Sequence, residues 1–121
     1  MSEKIYDLED RTLEFAKNVR LLLKKMPKTI INMEDGKQVV RSSGSVGANY
    51  IEANESLSKK DFCYRIKICR KEAKESNYWL TLLIATNPEF EEEFEILKQE
   101  ANELKKILSS ILEKYNQNKN Q

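Results

Sequence analysis

Histidine is absent from all 121 residues. Ser-His-Asp and Cys-His nucleophilic catalysis are thereby excluded, as are the Glu-x-x-His iron sites that helical bundles carry in their cores. Cysteine is scarce, with only Cys63 and Cys69. On one helix their six-residue separation amounts to about 9 Å along the axis, too far for a disulfide. Both read as reduced packing residues, and two thiols without further ligands make no zinc site. No Walker loop, Rossmann glycine signature or Cys-x-x-Cys pair occurs. Catalysis would have to rest on carboxylates, Lys or Tyr alone, and the five tyrosines stand near no base at a recognisable spacing. The expectation is a protein that is not an enzyme and needs no cofactor and no metal. Long apolar runs are missing too: none approaches the roughly 20 residues that span a bilayer. Met1-Ser2-Glu3-Lys4 has no apolar signal-peptide core. A cytoplasmic protein without a membrane partner is expected. A formal net charge of +1 gives no whole-chain argument for nucleic acid.

Glycine and proline are also rare, at three and two residues, whereas 40% of the chain is apolar and 34% charged. That balance is the profile of an all-α protein, in which charge solvates one side of each helix and few turns are needed. The length suits one domain, 1–121, with a single modest core. Leu8, Thr12, Phe15, Val19, Leu22 and Met26 step by four and three residues, predicting a first helix over about 7–26, which Pro27 stops. A second helix is expected over about 29–54, perturbed at its first turn; a hairpin at Asp35-Gly36 is the alternative, but no other strand exists to extend it. Ser58-Lys59-Lys60-Asp61 resembles a capping box and opens a third helix over 59–86. Phe62, Ile66, Cys69, Ala73, Ser76, Leu80 and Leu83 form its main seam. Tyr64, Ile68, Glu72, Glu75, Trp79 and Leu82 form a second stripe, which points to self-association. Asn87 is read as the cap of a fourth helix over 88–115, with Pro88 at its first position. Its seam runs through Phe90, Phe94, Leu97, Ala101, Leu104, Leu108, Ile111 and Tyr115. Residues 116–121 read as a polar, frayed tail. Four helices with short connections predict an antiparallel up-down-up-down four-helix bundle.

One segment stands apart. Arg41-Ser42-Ser43-Gly44-Ser45-Val46-Gly47-Ala48-Asn49-Tyr50-Ile51-Glu52-Ala53 is a run of small residues in a chain otherwise crowded with Lys, Glu, Leu and Ile. Val39, Val40, Ser43, Val46, Gly47, Tyr50 and Ile51 keep a helical spacing. Each helix-interior Gly costs roughly 1 kcal/mol relative to Ala, so two of them indicate a helix narrowed for close packing rather than a loop.

The order Pro27-Lys28-Thr29, Gln38-Val39-Val40-Arg41-Ser42, Ser45 to Ala53, Ser58-Lys59-Lys60-Asp61-Phe62 and Glu72-Ala73-Lys74-Glu75-Ser76-Asn77-Tyr78-Trp79-Leu80 resembles the bacterial 23S rRNA-intervening-sequence proteins, also called S23 ribosomal proteins. The similarity runs from about Leu8 to Leu112. Its most specific part is Arg-Ser-x-x-Ser-x-x-x-Asn-x-x-Glu, followed by the Ser-x-x-Asp/Glu-Phe start of the next helix. Many members have Glu-Gly where this chain has Glu52-Ala53, which places it with the Asn-Tyr-x-Glu-Ala subgroup. The resemblance implies a four-helix bundle that assembles as a homopentameric ring. It also brings in the related accessory protein of diversity-generating retroelements, which works with a reverse transcriptase and nucleic acid. The family name refers to gene location within 23S rRNA genes, and no catalytic residues come with it.

Three groups of residues are candidates for function. Arg41, Ser45, Asn49 and Glu52 fall on one stripe of the second helix. They read either as a polar surface or, preferably, as a buried hydrogen-bonded set in which Arg41 pairs with Glu72 or Glu75. Lys59, Lys60, Arg65, Lys67, Arg70, Lys71 and Lys74 form a basic cluster around the third helix. Residues 1–87 hold 16 basic and 12 acidic side chains, and residues 88–121 hold 5 and 8, so the chain is polarised. A basic face repeated around a ring could bind RNA or DNA. The alternative is a solvated surface or a partner for a neighbour's acidic fourth helix, and the position of Arg65 away from Lys67, Lys71 and Lys74 argues against a dedicated groove. Trp79, Tyr78 and Tyr64 could stack on bases, although packing is the simpler reading at this spacing. Tyr64, Ile68, Trp79 and Leu82 are candidates for a subunit interface. The functional expectation is a homo-oligomeric adaptor for nucleic acid or for a nucleic-acid enzyme. The alternative is a protein-interaction module with no nucleic-acid role.

Overall fold

The computed structural model describes residues 7–119. Four helices follow in order: α1 (Leu8–Leu23), α2 (Ile30–Asn54), α3 (Lys59–Thr86) and α4 (Glu91–Lys119), with a single 3-10 turn over Pro88–Phe90 before α4. Each helix packs on its chain neighbours, and α1 closes the square against α4. Local chemistry sets the starts. Asp7 Oδ1 accepts from Asp10 N at 2.9 Å, Thr29 Oγ1 from Asn32 N at 3.1 Å, and Ser58 Oγ from Asp61 N at 3.0 Å. Each side chain thus satisfies a backbone donor that the helix itself leaves free. α2 is regular from its first turn, and Asp35-Gly36 lies within it, so neither the hairpin nor a perturbed start occurs. α1 ends at Leu23, where three-residue bonds from Lys25 N to Leu22 O and Met26 N to Leu23 O tighten the chain before Pro27. α4 continues as helix to Lys119, past the expected end at Tyr115; the last two residues of the expected tail lie outside the described residues. Among the described residues, no helix is long and apolar enough to cross a membrane, and no cluster of His, Cys, Asp and Glu could hold a metal ion.

The core has two apolar compartments. Phe15, Val19, Leu22, Val39, Leu80, Leu83, Phe94 and Leu104 fill the one near the α1–α2 turn. Val46, Ala53, Ile66, Cys69, Ala73, Leu108 and Leu112 fill the other. Burial pushes the Cys69 thiol up to about 12, because ionising it would strand a charge among apolar side chains. Between the compartments, α2 contributes small polar residues. Ser42 Oγ and Ser76 Oγ lie 2.8 Å apart, both fully buried, and Ser76 Oγ also donates to Glu72 O at 2.9 Å. On the other side of α2, a Cβ added at Gly47 would stand 2.9 Å from Thr12 Oγ1 and 3.2 Å from its Cβ. Thr12 cannot swing aside, since its buried hydroxyl donates to Leu8 O at 2.7 Å.

Asn87 does not cap α4: its side chain makes no capping hydrogen bond there. It turns inward instead. Asn32 Nδ2 donates to Asn87 Oδ1 at 3.0 Å while Asn87 Nδ2 donates to Asn32 Oδ1 at 2.8 Å, forming a reciprocal amide pair. Asn32 Nδ2 also donates to Pro27 O and Asn87 Nδ2 to Leu83 O, both at 2.9 Å. The two turns at this end of the bundle are thereby joined through buried amides. Without the cap, the chain passes through the 3-10 turn, and Glu91, Glu92 and Glu93 in the first turn of α4 suit its positive end.

Chemical denaturation of four variants tests this packing. Gly47→Ala lowers stability by about 1–2 kcal/mol, because overpacking against Thr12 outweighs the gain in helix propensity. Gly36→Ala instead raises it by about 0.5–1 kcal/mol, since the new methyl would meet only Leu23 side-chain carbons, the nearest at 3.7 Å. Asn87→Leu leaves the Asn32 amide buried without its partner and costs about 2–3 kcal/mol, and the Asn32→Leu/Asn87→Leu double variant loses less than the sum of its singles.

Candidate functional site

The seam between α3 and α4 carries the densest positive charge brought together by the fold. Along α3, Lys67, Lys71 and Lys74 recur at steps of four and three, which keeps them on one outward side. Arg70 leans toward α4, its Nη1 within 3.5 Å of Ser109 Oγ. Lys105 comes from α4. Lys67, Arg70, Lys71, Lys74, Lys105 and Ser109 line a groove of about 450 Å³ with no carboxylate in its wall. Lys67 is shared with a second groove of about 660 Å³, lined also by Lys59, Lys60, Cys63, Tyr64, Tyr115 and Asn116. Among the described residues, none of these cations forms an ion pair with a carboxylate. At the far end of the seam, Asn77 Nδ2 donates to Asn102 Oδ1 at 3.0 Å. At the near end, the Phe62 and Tyr115 rings stack with centroids 4.8 Å apart, and Lys59 Nζ lies 5.3 Å from the Tyr115 centroid. The walls are therefore fixed and the cations free, an arrangement that can bind phosphate or another anion without chemistry upon it.

The polar stripe of α2 forms a ladder on the opposite edge of α3. Arg41 Nη2 donates to Glu72 Oε1 at 3.2 Å and to Glu75 Oε1 at 2.8 Å. These carboxylates, Glu72 first, raise the Arg41 pKa above its ordinary value. Ser45 Oγ donates to Arg41 O, Asn49 Nδ2 donates to Ser45 O, and Arg65 Nη1 donates to Asn49 Oδ1 at 3.1 Å. Arg65 thus serves the ladder rather than the basic groove. The set is not buried as a whole: the Arg41 side chain is 50% exposed and that of Glu72 10%. The ladder lies at the rim of the α2–α3 contact, and the fully buried polar pair is Ser42–Ser76, one residue inward from Arg41 and toward α3. Glu52 is exposed.

A third groove, between α1 and α4, holds about 580 Å³ and is lined by Phe15, Ile96, Leu97, Glu14, Glu103 and the Arg11–Glu100 pair among others. Arg11 Nε and Nη2 donate to the two Glu100 oxygens at 2.7 and 2.9 Å. The guanidinium and carboxylate occupy each other, and no nucleophile with an adjacent base stands in the groove.

The model of the 23S rRNA-intervening sequence protein family matches residues 6–110. The chain belongs to this family. It is also similar to a protein of unknown function from the S23 ribosomal protein family of Bacteroides thetaiotaomicron VPI-5482, whose crystal structure superposes with a TM-score of 0.77 at 35% identity, over 88% of this chain and 98% of that one. No curated protein matches. The all-α bundle is thus the fold of the family.

Of the basic residues singled out in the family member's sequence, Lys67, Arg70, Lys71 and Lys74 meet in one groove, with Lys59 and Lys60 in its extension. Lys105, Ser109, Tyr115 and Asn116 were missed, because α4 was read only for its apolar seam. A signal did exist. Residues nearly equidistant from the Asn87-Pro88 turn face each other across the α3–α4 hairpin, as Asn77 faces Asn102 and Phe62 faces Tyr115. The same arithmetic places Arg70 opposite Ser109 and Lys74 opposite Lys105. Among the interface candidates, Tyr64 is exposed and Ile68, Trp79 and Leu82 are half-buried. Trp79 packs against the first core compartment, with its indole N–H buried and unpartnered among the described residues.

Glu72→Ala is expected to cost about 1–2 kcal/mol in urea unfolding, because it removes the better-buried acceptor of Arg41. Glu75→Ala, at a more exposed position, costs less than about 1 kcal/mol. Equal effects would show that burial does not distinguish the two carboxylates.

Proposed function

We propose that this family member is a non-enzymatic binding protein of the cytoplasm whose α3–α4 groove takes the phosphates of nucleic acid. The observation that carries the reading is the set of five cations, Lys67, Arg70, Lys71, Lys74 and Lys105, in one groove wall that contains no carboxylate. Phosphate is the anion whose binding scales with such a row, since each neutralised phosphate releases condensed counterions. The near-neutral chain would bind through this local field and not through its net charge.

Self-association as a ring is the second part of the proposal, and it would make the chain an adaptor that presents several grooves to one ligand or to a nucleic-acid enzyme. It is supported by the α1–α2 face, where Leu13, Ala16, Gly44, Gly47, Ala48 and Ile51 line a largely apolar groove of about 410 Å³. Leu13 and Ile51 are exposed there, which a lone protomer gains nothing from. Should the ring form without nucleic-acid binding, the protein is an interaction module instead.

Mobility shifts with structured RNA and with DNA over a salt series test the first part. Affinity is expected to fall with salt, and Lys71→Ala to reduce the log–log slope by about 0.7–0.9, the share of one phosphate contact. Reversing Lys67, Arg70, Lys71 and Lys74 to Glu should abolish the shift while leaving the helical circular-dichroism signal intact. No shift at low salt, or full binding by the reversed variant, overturns the reading. Light scattering reports the mass of the assembly, and a monomer at all concentrations overturns the ring.

A further inference from the structure

The lysines of the groove are not alone on their stripe. Tyr64, Lys67, Lys71, Lys74 and Tyr78 follow one another along α3 at steps of three, four, three and four, so the row of cations is bracketed by two aromatic rings. Those rings are 63% and 57% exposed and lie about 21 Å apart along the helix axis. Tyr115, by contrast, is occupied by Phe62 and Lys59. Tyr78 meets the Trp79 ring edge-on, with centroids 5.2 Å apart, yet both tyrosines keep more than half of their surface in water beside the lysine row.

We propose that the ligand of this groove is an unpaired strand, RNA or single-stranded DNA, with its phosphates along Lys67, Lys71, Lys74, Arg70 and Lys105 and its bases stacked on Tyr64 and Tyr78. The inference rests on the nucleic-acid reading above and narrows it. A duplex keeps its bases stacked on one another and has no use for the rings, whereas every unpaired base offers a face to an aromatic side chain. Shape agrees. An α-helix reads duplex DNA by entering a major groove about 12 Å wide, but α3 is flanked by α2 on one side and α4 on the other and cannot be inserted. The concave seam between two packed helices, whose axes lie about 8–10 Å apart, instead has room for one sugar–phosphate strand.

Fluorescence anisotropy with an unstructured RNA oligonucleotide, the same sequence as single-stranded DNA, and the corresponding duplex tests this. Both unpaired strands are expected to bind at least tenfold more tightly than the duplex. A preference between the two shows which sugar the site accepts. Tyr64→Ala and Tyr78→Ala should each weaken binding about tenfold, with Phe at either position restoring it. The salt dependence should stay unchanged in these variants, because stacking releases no counterions. Thermal unfolding of Tyr64→Ala should match that of the parent chain, and that of Tyr78→Ala should fall only slightly, through loss of its edge contact with Trp79. Equal affinity for duplex and unpaired strands, or alanine variants that bind normally while the charge-reversed protein does not, overturns the single-strand inference and leaves the phosphate reading standing. Binding of acidic peptide alone, or of no nucleic acid at all, overturns both.

Discussion

Between α1 and α3, the backbone of α2 runs through a space that admits little more than hydroxymethyl groups and hydrogen. Ser42 meets Ser76 on the α3 side, and Gly47 meets Thr12 on the α1 side. Larger residues at these points would push one neighbour away, and the apolar compartments above and below would open with it. The buried serine pair satisfies its hydroxyls internally, so this polar layer between two apolar compartments leaves no donor stranded. It also fixes register. Sliding α2 by a turn would set the small residues against bulky ones and bring valines opposite Ser76.

With α2 held in this way, α3 becomes the structural centre, and its two edges have different chemistry. Toward α2 the charges are neutralised: Arg41 is paired twice, and Arg65 is bound to Asn49. Toward α4 the cations are left without carboxylates, and polar bonds at Asn77–Asn102 hold the walls of the seam. The residues that most strongly mark the family in sequence, Arg41 and Asn49, therefore belong to the neutralised edge. Their ladder ties α2 to α3, and the carboxylate-free groove lies on the other side of the same helix.

Much of the fold was legible because its determinants are local. Seams such as Phe15, Val19 and Leu22 or Leu97, Ala101 and Leu104 repeat at helical spacing, and capping residues such as Ser58 sit next to the turns they stabilise. The thinned character of α2 was legible from its glycines. Asn87 misled because its sequence context, Asn before Pro, is that of a cap, while its amide is claimed by Asn32, 55 residues away. The basic cluster was visible as composition on α3, but its shape was not. Lys105 and Ser109 of the groove come from α4, and a stripe reading of one helix cannot show what stands across the seam. Arg65 looked like a reason to doubt a groove until its side chain was seen to serve α2.

The unequal lengths of the helices have a further consequence. α1 has 16 residues, against 29 in α4, and along their seam it leaves an open groove crossed by the partly exposed Arg11–Glu100 pair. Detachment of α1 would nonetheless uncover Phe15, Val19 and Leu22, which the first compartment buries, so α1 is held by its core side chains and not by the length of its seam with α4. Such an opening would dismantle the apolar α1–α2 face, since Leu13 and Ala16 leave with α1. It would remove no residue from the lining of the cationic α3–α4 groove. The apolar face thus needs α1 for more than half of its lining, whereas the cationic groove draws no residue from it.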